Sequence, residues 1–166
     1  MSPASQIANN IGSIVINLQS LEFALRLFLD EIQGHSDSPK DTPLNLTGLN
    51  IDEWVPENYF TNYDTLKQLI RKVNNEFQKR GLSERIDETL VELRDAIAHG
   101  RVLSLNSDGP FHILKFSKPI DGKTQVKISV DMTPEWLSRQ TKRTHDEILK
   151  VVRVGKSLGL KCFPTD

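Results

Sequence analysis

The residues best equipped for chemistry in this 166-residue chain stand together near its middle, in Arg94-Asp95-Ala96-Ile97-Ala98-His99. If the segment is helical, Asp95 and His99 are four apart and share a face on which their side chains can touch. Asp95 is then placed to hold the His99 ring in one orientation and one tautomer. Arg94 stands about 100° round the helix from Asp95, and Ala96 and Ala98 are small enough to leave the polar side open. A guanidinium can grip two phosphate oxygens at once, while an imidazole gains and loses a proton near neutrality. Such groups side by side suit phosphoryl chemistry. The plainer reading of the same residues is a surface ion pair for Arg94, a helix-face acid for Asp95 and a capping ring for His99.

Few other side chains compete. His35, His112 and His145 stand alone in sequence, without metal-ligand spacing to another His or Cys, so no metal site and no cofactor is expected. Ser104, Ser107 and His112 form no recognisable nucleophile arrangement, and no glycine-rich phosphate loop is present. Glu22 lies among apolar residues and needs a partner if buried, either Arg94 or Arg26, in structural support more than in catalysis. Near the C-terminus Arg139, Lys142, Arg143, Lys150 and Arg153 recur at intervals that could line one helix face against an RNA backbone. An ordinary solvated face is the alternative.

The elements that must carry these groups are mainly helices. Ile7, Ile11, Ile14, Val15, Leu18, Leu21, Leu25, Phe28, Leu29 and Ile32 recur at three- and four-residue spacing, which predicts a long helix over 4–33, stopped by Gly34. Residues 35–60, with Pro39, Pro43 and Pro56, read as a long loop whose end, Trp54, Tyr59 and Phe60, docks onto the body. A second helix is expected over 62–80, with Tyr63 and Phe77 on its apolar face and Gly81 after it. A third should begin at Ser83 as N-cap, turn Ile86, Leu90, Leu93 and Ile97 inward, and stop at Gly100. Residues 101–105, 111–117 and 125–130 are β-prone, with turn signals at Asp108-Gly109-Pro110 and Asp121-Gly122, and predict a small antiparallel insert over 101–130. Thr133-Pro134-Glu135 then opens a last helix running from about 134 to 157. The fold class expected is mainly α, with four long helices and the β insert in a single domain, 1–166.

Composition narrows the classes of function. With one cysteine, Cys162, no disulfide forms within the chain, and the N-terminus lacks the basic and apolar stretches of an export signal. No apolar run approaches the roughly 18 residues needed to cross a bilayer, so a cytoplasmic protein without membrane contact is expected. The net charge of −1 hides an asymmetry: residues 1–60 hold two basic against eight acidic side chains, and residues 61–166 hold 19 against 14. A mild basic excess in the second part is compatible with a surface facing nucleic acid or with ordinary solvated helices.

Arg94-Asp95-Ala96-Ile97-Ala98-His99 fits the R-x4-H pattern of the HEPN superfamily, with a polar residue after the arginine. The string Leu93 to Gly100 resembles that family's LRN-x-x-AHG variants, with Asp95 in place of the common asparagine. More weakly, the long first helix with Leu21-Glu22-Phe23-Ala24-Leu25-Arg26, the second, the motif helix and the last resemble the HEPN helical bundle; the β insert is an embellishment on it. The resemblance implies a metal-independent endoribonuclease, or a descendant that binds RNA, nucleotide or a protein without cutting. It implies a homodimer formed through the motif helix, and in bacteria a toxin or phage-defence role, with a protein antitoxin as a possible partner. The chemistry argues for two chains independently. Attack by an RNA 2′-hydroxyl needs both a general base and a general acid, and one motif offers one histidine.

Overall fold

The computed structural model describes residues 3–33, 48, 50–55, 57–104 and 110–163. Gly34, most of the 35–60 loop with His35, Pro39, Pro43 and Pro56, residues 105 and 107, and Asp108-Gly109 lie outside the described residues. In chain order the elements are α1 (Pro3–Ile32), α2 (Leu66–Lys79), α3 (Leu90–His99), β1 (Arg101–Leu103), β2 (His112–Phe116), β3 (Val126–Asp131) and α4 (Pro134–Ser157). The protein is thus mainly helical with a small antiparallel sheet in the order β1-β2-β3. Its residues gather in two compact units, one of residues 1–19 and 89–145 and one of residues 20–88 and 146–166.

In the first unit Ile14, Leu18, Leu90, Leu93, Ala96, Ile113, Met132 and Leu137 are buried and form the core. The sheet matches the β-prone segments closely. His112 pairs with Asp131 and Leu114 with Ser129 between β2 and β3, and Arg101 pairs with Leu114 between β1 and β2. Asp121 and Gly122 both take positive φ, 49° and 72°, inside the bridge between Ile120 and Lys123. Two such residues in succession match the twist of the strands they join. α4 begins where its capping sequence places it: the Trp136 amide donates to Thr133 Oγ1 at 3.2 Å.

In the second unit Leu21, Leu25, Phe28, Leu29, Leu69, Ile70, Val73, Phe77, Val151 and Val154 are buried. The rings of Phe28 and Phe77 meet edge to face, 5.3 Å between centroids. α2 starts at Leu66, four residues later than the periodicity suggests, because Thr65 and Gln68 close a reciprocal capping box. Just before it Asn62 turns its side chain to the Asp64 amide, 3.1 Å away, which holds the backbone out of the helix. Tyr63, expected inward, is therefore fully exposed. At the other end Gly81 takes φ 69°, and Leu82 and Gly81 donate to the carbonyls of Phe77 and Gln78. This left-handed ending suits glycine.

Two further expectations are corrected. Ser83 does not cap α3, which begins at Leu90. The intervening backbone is held in an irregular path: the Asn74 amide group accepts from the Ile86 N–H at 2.7 Å and donates to its carbonyl at 3.0 Å, and Glu147 accepts from the Asp87 N–H at 3.3 Å. Of the aromatic residues closing the loop, Phe60 packs near Phe23, 5.8 Å between ring centroids, but Trp54 is 98 % exposed. Ser5–Ile32 is long and apolar enough, by length and composition, to cross a membrane. Within the fold the same helix gives Ile14, Leu18, Leu21, Leu25, Phe28 and Leu29 to the two cores and carries the buried charged residues Arg26 and Asp30.

Candidate functional site

The candidate site is the outward face at the end of α3, in the first unit. Leu90, Leu93 and Ala96 turn one side of this ten-residue helix into the core. The opposite side therefore displays Arg94, Asp95, Ala98 and His99, of which Arg94, Ala98 and His99 are exposed and Asp95 half-buried. Arg94 and His99, five positions apart, are separated by about 140° of rotation. They flank the outward face, with the small Ala98 and the carboxylate of Asp95 between them.

What fixes this face is the exit from the helix. The Gly100 amide donates to the Ala96 carbonyl at 2.7 Å, and the chain leaves in an extended conformation, φ −71° and ψ 165°. Glycine ends α3 as expected, though not by a left-handed cap. A Cβ at position 100 would lie 2.2 Å from the Ala96 oxygen and 3.1 Å from Ile113 Cγ1. Close approach to the helix end and to β2 demands the glycine. β1 then starts at Arg101, and its pairing with β2 brings Lys115 beside the motif.

Asp95 departs from its expected role. Its Oδ1 accepts from Arg94 Nη1 at 3.1 Å and its Oδ2 from Lys115 Nζ at 3.2 Å. Among the described residues no bond joins it to His99. Burial by itself raises the Asp95 pKa, but the hydrogen bonds and charges of Lys115 and Arg94 together outweigh it and hold the carboxyl below the ordinary 3.8. Asp95 is ionised at neutral pH and serves as the seat of two cations. It orients Arg94, not the imidazole. Nearby on the sheet the Arg101 guanidinium lies over the Phe116 ring, 5.0 Å from its centroid.

Lys115 is the residue that sequence reasoning misses. Its signal is the alternation along β2: the buried Ile113 points inward, so Lys115, two residues on, leaves the same face and meets α3. Other predicted residues separate from the motif. Glu22 belongs to the second unit and pairs with Arg26, 2.9 Å between Nη2 and Oε1, which settles its partner between the two considered. The basic stripe of α4 is interrupted. Arg143 donates to Gln140 Oε1 at 3.2 Å and to the Thr89 hydroxyl, and Lys150 donates to the Glu147 carboxylate and to the Arg85 carbonyl at 2.6 Å. Arg139, Lys142 and Arg153 are exposed. His112 does have a nucleophile near it, but the residue is Ser129, not Ser104. Among the described residues no three His, Cys, Asp or Glu side chains gather where a metal ion could be held. Compared with protein families, with curated proteins and with solved structures, the chain matches none.

Proposed function

We propose that the protein is a metal-independent endoribonuclease of the HEPN type that works as a homodimer through α3. The observation that carries this reading is the display of Arg94 and His99 on one exposed helix face, with the guanidinium steadied by Asp95. Half-exposed and, among the described residues, bonded to a single carboxylate, Arg94 keeps N–H donors for a ligand. His99 is exposed at the helix end, able to reach a second molecule.

Two such faces brought together supply what one lacks. One His99 takes the proton of the RNA 2′-hydroxyl, the other protonates the departing 5′ oxygen, and the two Arg94 side chains offset the charge on the crowded phosphorane. In this arrangement Lys115 positions Asp95, and Asp95 positions Arg94. A toxin or phage-defence role in the cytoplasm, restrained by an antitoxin protein, is the setting the resemblance implies.

The test is growth of bacteria expressing the wild-type chain, His99→Ala or Arg94→Ala, together with digestion of RNA by purified protein under excess chelator. Wild type should arrest growth and cut RNA with chelator present, and either substitution should lower cleavage by about 10²–10⁴-fold. Cleavage lost on adding chelator overturns the metal-free mechanism, and equal growth of all three strains overturns the nuclease. One observation favours a second reading, a HEPN-like module that binds RNA, nucleotide or protein without cutting: Arg143 and Lys150 are committed to internal bonds, which thins the basic surface. Such a module binds its ligand as well after His99→Ala as before.

A further inference from the structure

The sheet carries a second chemical cluster, which the α3 site does not use. Register sets His112 opposite Asp131 and Leu114 opposite Ser129. Residues two apart on a strand share a face, so His112, Ser129 and Asp131 emerge on one side of the β2–β3 ladder. There His112 Nδ1 lies 2.6 Å from Asp131 Oδ1, and Nε2 lies 3.0 Å from Ser129 Oγ. An ionised carboxylate only accepts, so Nδ1 of the neutral ring carries the proton. Nε2 is then bare, and the Ser129 hydroxyl donates to it. Carboxylate, imidazole and hydroxyl stand in the order that activates a serine: the acid fixes the tautomer, the ring receives the proton, the oxygen attacks.

We propose that Ser129 is an acyl-accepting nucleophile acting on small activated esters. The surroundings set the substrate class. Leu114 faces Ser129 across one ladder and Leu103 faces His112 across the other, so a short acyl chain finds apolar surface beside the hydroxyl. Ser129 and Asp131 are exposed, and an open face stabilises an oxyanion less than an enclosed one. That restricts the reaction to esters whose leaving group departs readily. Ser129 Oγ bonds to the carbonyl carbon as its proton passes to His112 Nε2. The bond from that carbon to the leaving oxygen breaks, and the leaving group takes the proton away as an alcohol or phenol. Water repeats the sequence on acyl-Ser129, releasing the carboxylic acid and restoring the hydroxyl, with no change of oxidation state.

The test treats the full chain with a fluorescent alkyl fluorophosphonate, which bonds phosphorus to an activated serine oxygen and releases fluoride, and maps the label by mass spectrometry. The folded wild type should label at Ser129 faster than the denatured chain, and Ser129→Ala should abolish that label. His112→Ala should slow labelling by about 100-fold. Asp131→Asn, which keeps the side-chain shape should His112→Ala disturb the sheet, should slow it by about tenfold, because the exposed acid orients the ring less firmly than a buried one. Arg94→Ala should label at the full rate, which separates this site from the α3 face. Labelling no faster than in the denatured chain, label on another residue, or a rate unchanged in both His112→Ala and Asp131→Asn overturns the proposal.

Discussion

Arg26 and Arg94 each bond a carboxylate close by in sequence, yet they are held in very different ways. Arg26 is buried. Its Nη2 and Nε reach Glu22 at 2.9 and 3.3 Å, Nη1 reaches the Tyr59 carbonyl at 2.5 Å and Asn62 Oδ1 at 2.8 Å, and Nη2 also reaches the Asp64 carbonyl at 2.9 Å. The segment around 58–64 has no helix or strand to satisfy its carbonyls, and the planar guanidinium supplies donors in their place. Arg94 is 47 % exposed in its side chain and, among the described residues, makes one such bond, to the residue beside it. A guanidinium with its donors occupied holds a fold together. One oriented by a single acid and left with free donors is available to a ligand.

The sharpest way to break this contrast is to remove Arg26. Arg26→Ala strips several carbonyls and a partly buried carboxylate of their donor, and should cost about 3 kcal/mol of stability, read as a lower urea midpoint at unchanged slope. A loss under about 1 kcal/mol would make Arg26 no more structural than a surface pair. Next in size is Gly100→Ala. The added methyl meets the Ala96 carbonyl and Ile113, and forcing volume into so tight a place costs about 1–3 kcal/mol. Thermal unfolding measures it, and a neutral result would mean that the α3 exit is looser than its geometry.

How much of this was legible in the residues follows the range of the forces involved. α4, the three strands and the Asp121-Gly122 turn were readable because capping and alternation are local signals. The late starts of α2 and α3 were not. They depend on Asn62, Asn74 and Glu147 reaching backbone groups, in the last two cases far along the chain, and side-chain competition of that kind leaves no periodic trace. Arg94, Asp95 and His99 stand out as a motif, but local spacing does not reveal that Asp95 bonds Lys115. Helical spacing offers His99 at i+4, whereas the strand pairing that delivers Lys115 is long-range. The Ser129-His112-Asp131 cluster escaped for the same reason: its members are neighbours only once β2 and β3 are in register.

Lys115→Met tests the two-cation seat at Asp95 and has a smaller effect. The folded pKa of Asp95 is depressed, so its stabilising contribution is present above the unfolded value and is lost as pH falls through the folded one. The window is below about pH 4, and for a partly exposed pair the contribution is under about 1 kcal/mol. In Lys115→Met the Asp95 carboxyl should titrate higher by NMR, and the acid-side loss of stability in that window should shrink. An unchanged titration would take Lys115 out of the site.

The smallest stability change belongs to Arg94→Ala, and it decides the comparison. An exposed ion pair between adjacent residues is worth little in water, so this variant should unfold within about 0.5 kcal/mol of wild type. Under the proposed function it should still lose nearly all cleavage. Arg26→Ala is expected to do the reverse: it destabilises the chain, while any variant that remains folded keeps the α3 face intact. If instead Arg94→Ala lowers stability as much as Arg26→Ala does, its guanidinium holds the fold and is not reserved for phosphate. The α3 face would then be a structural surface, and His99 alone would be left to explain any activity found there.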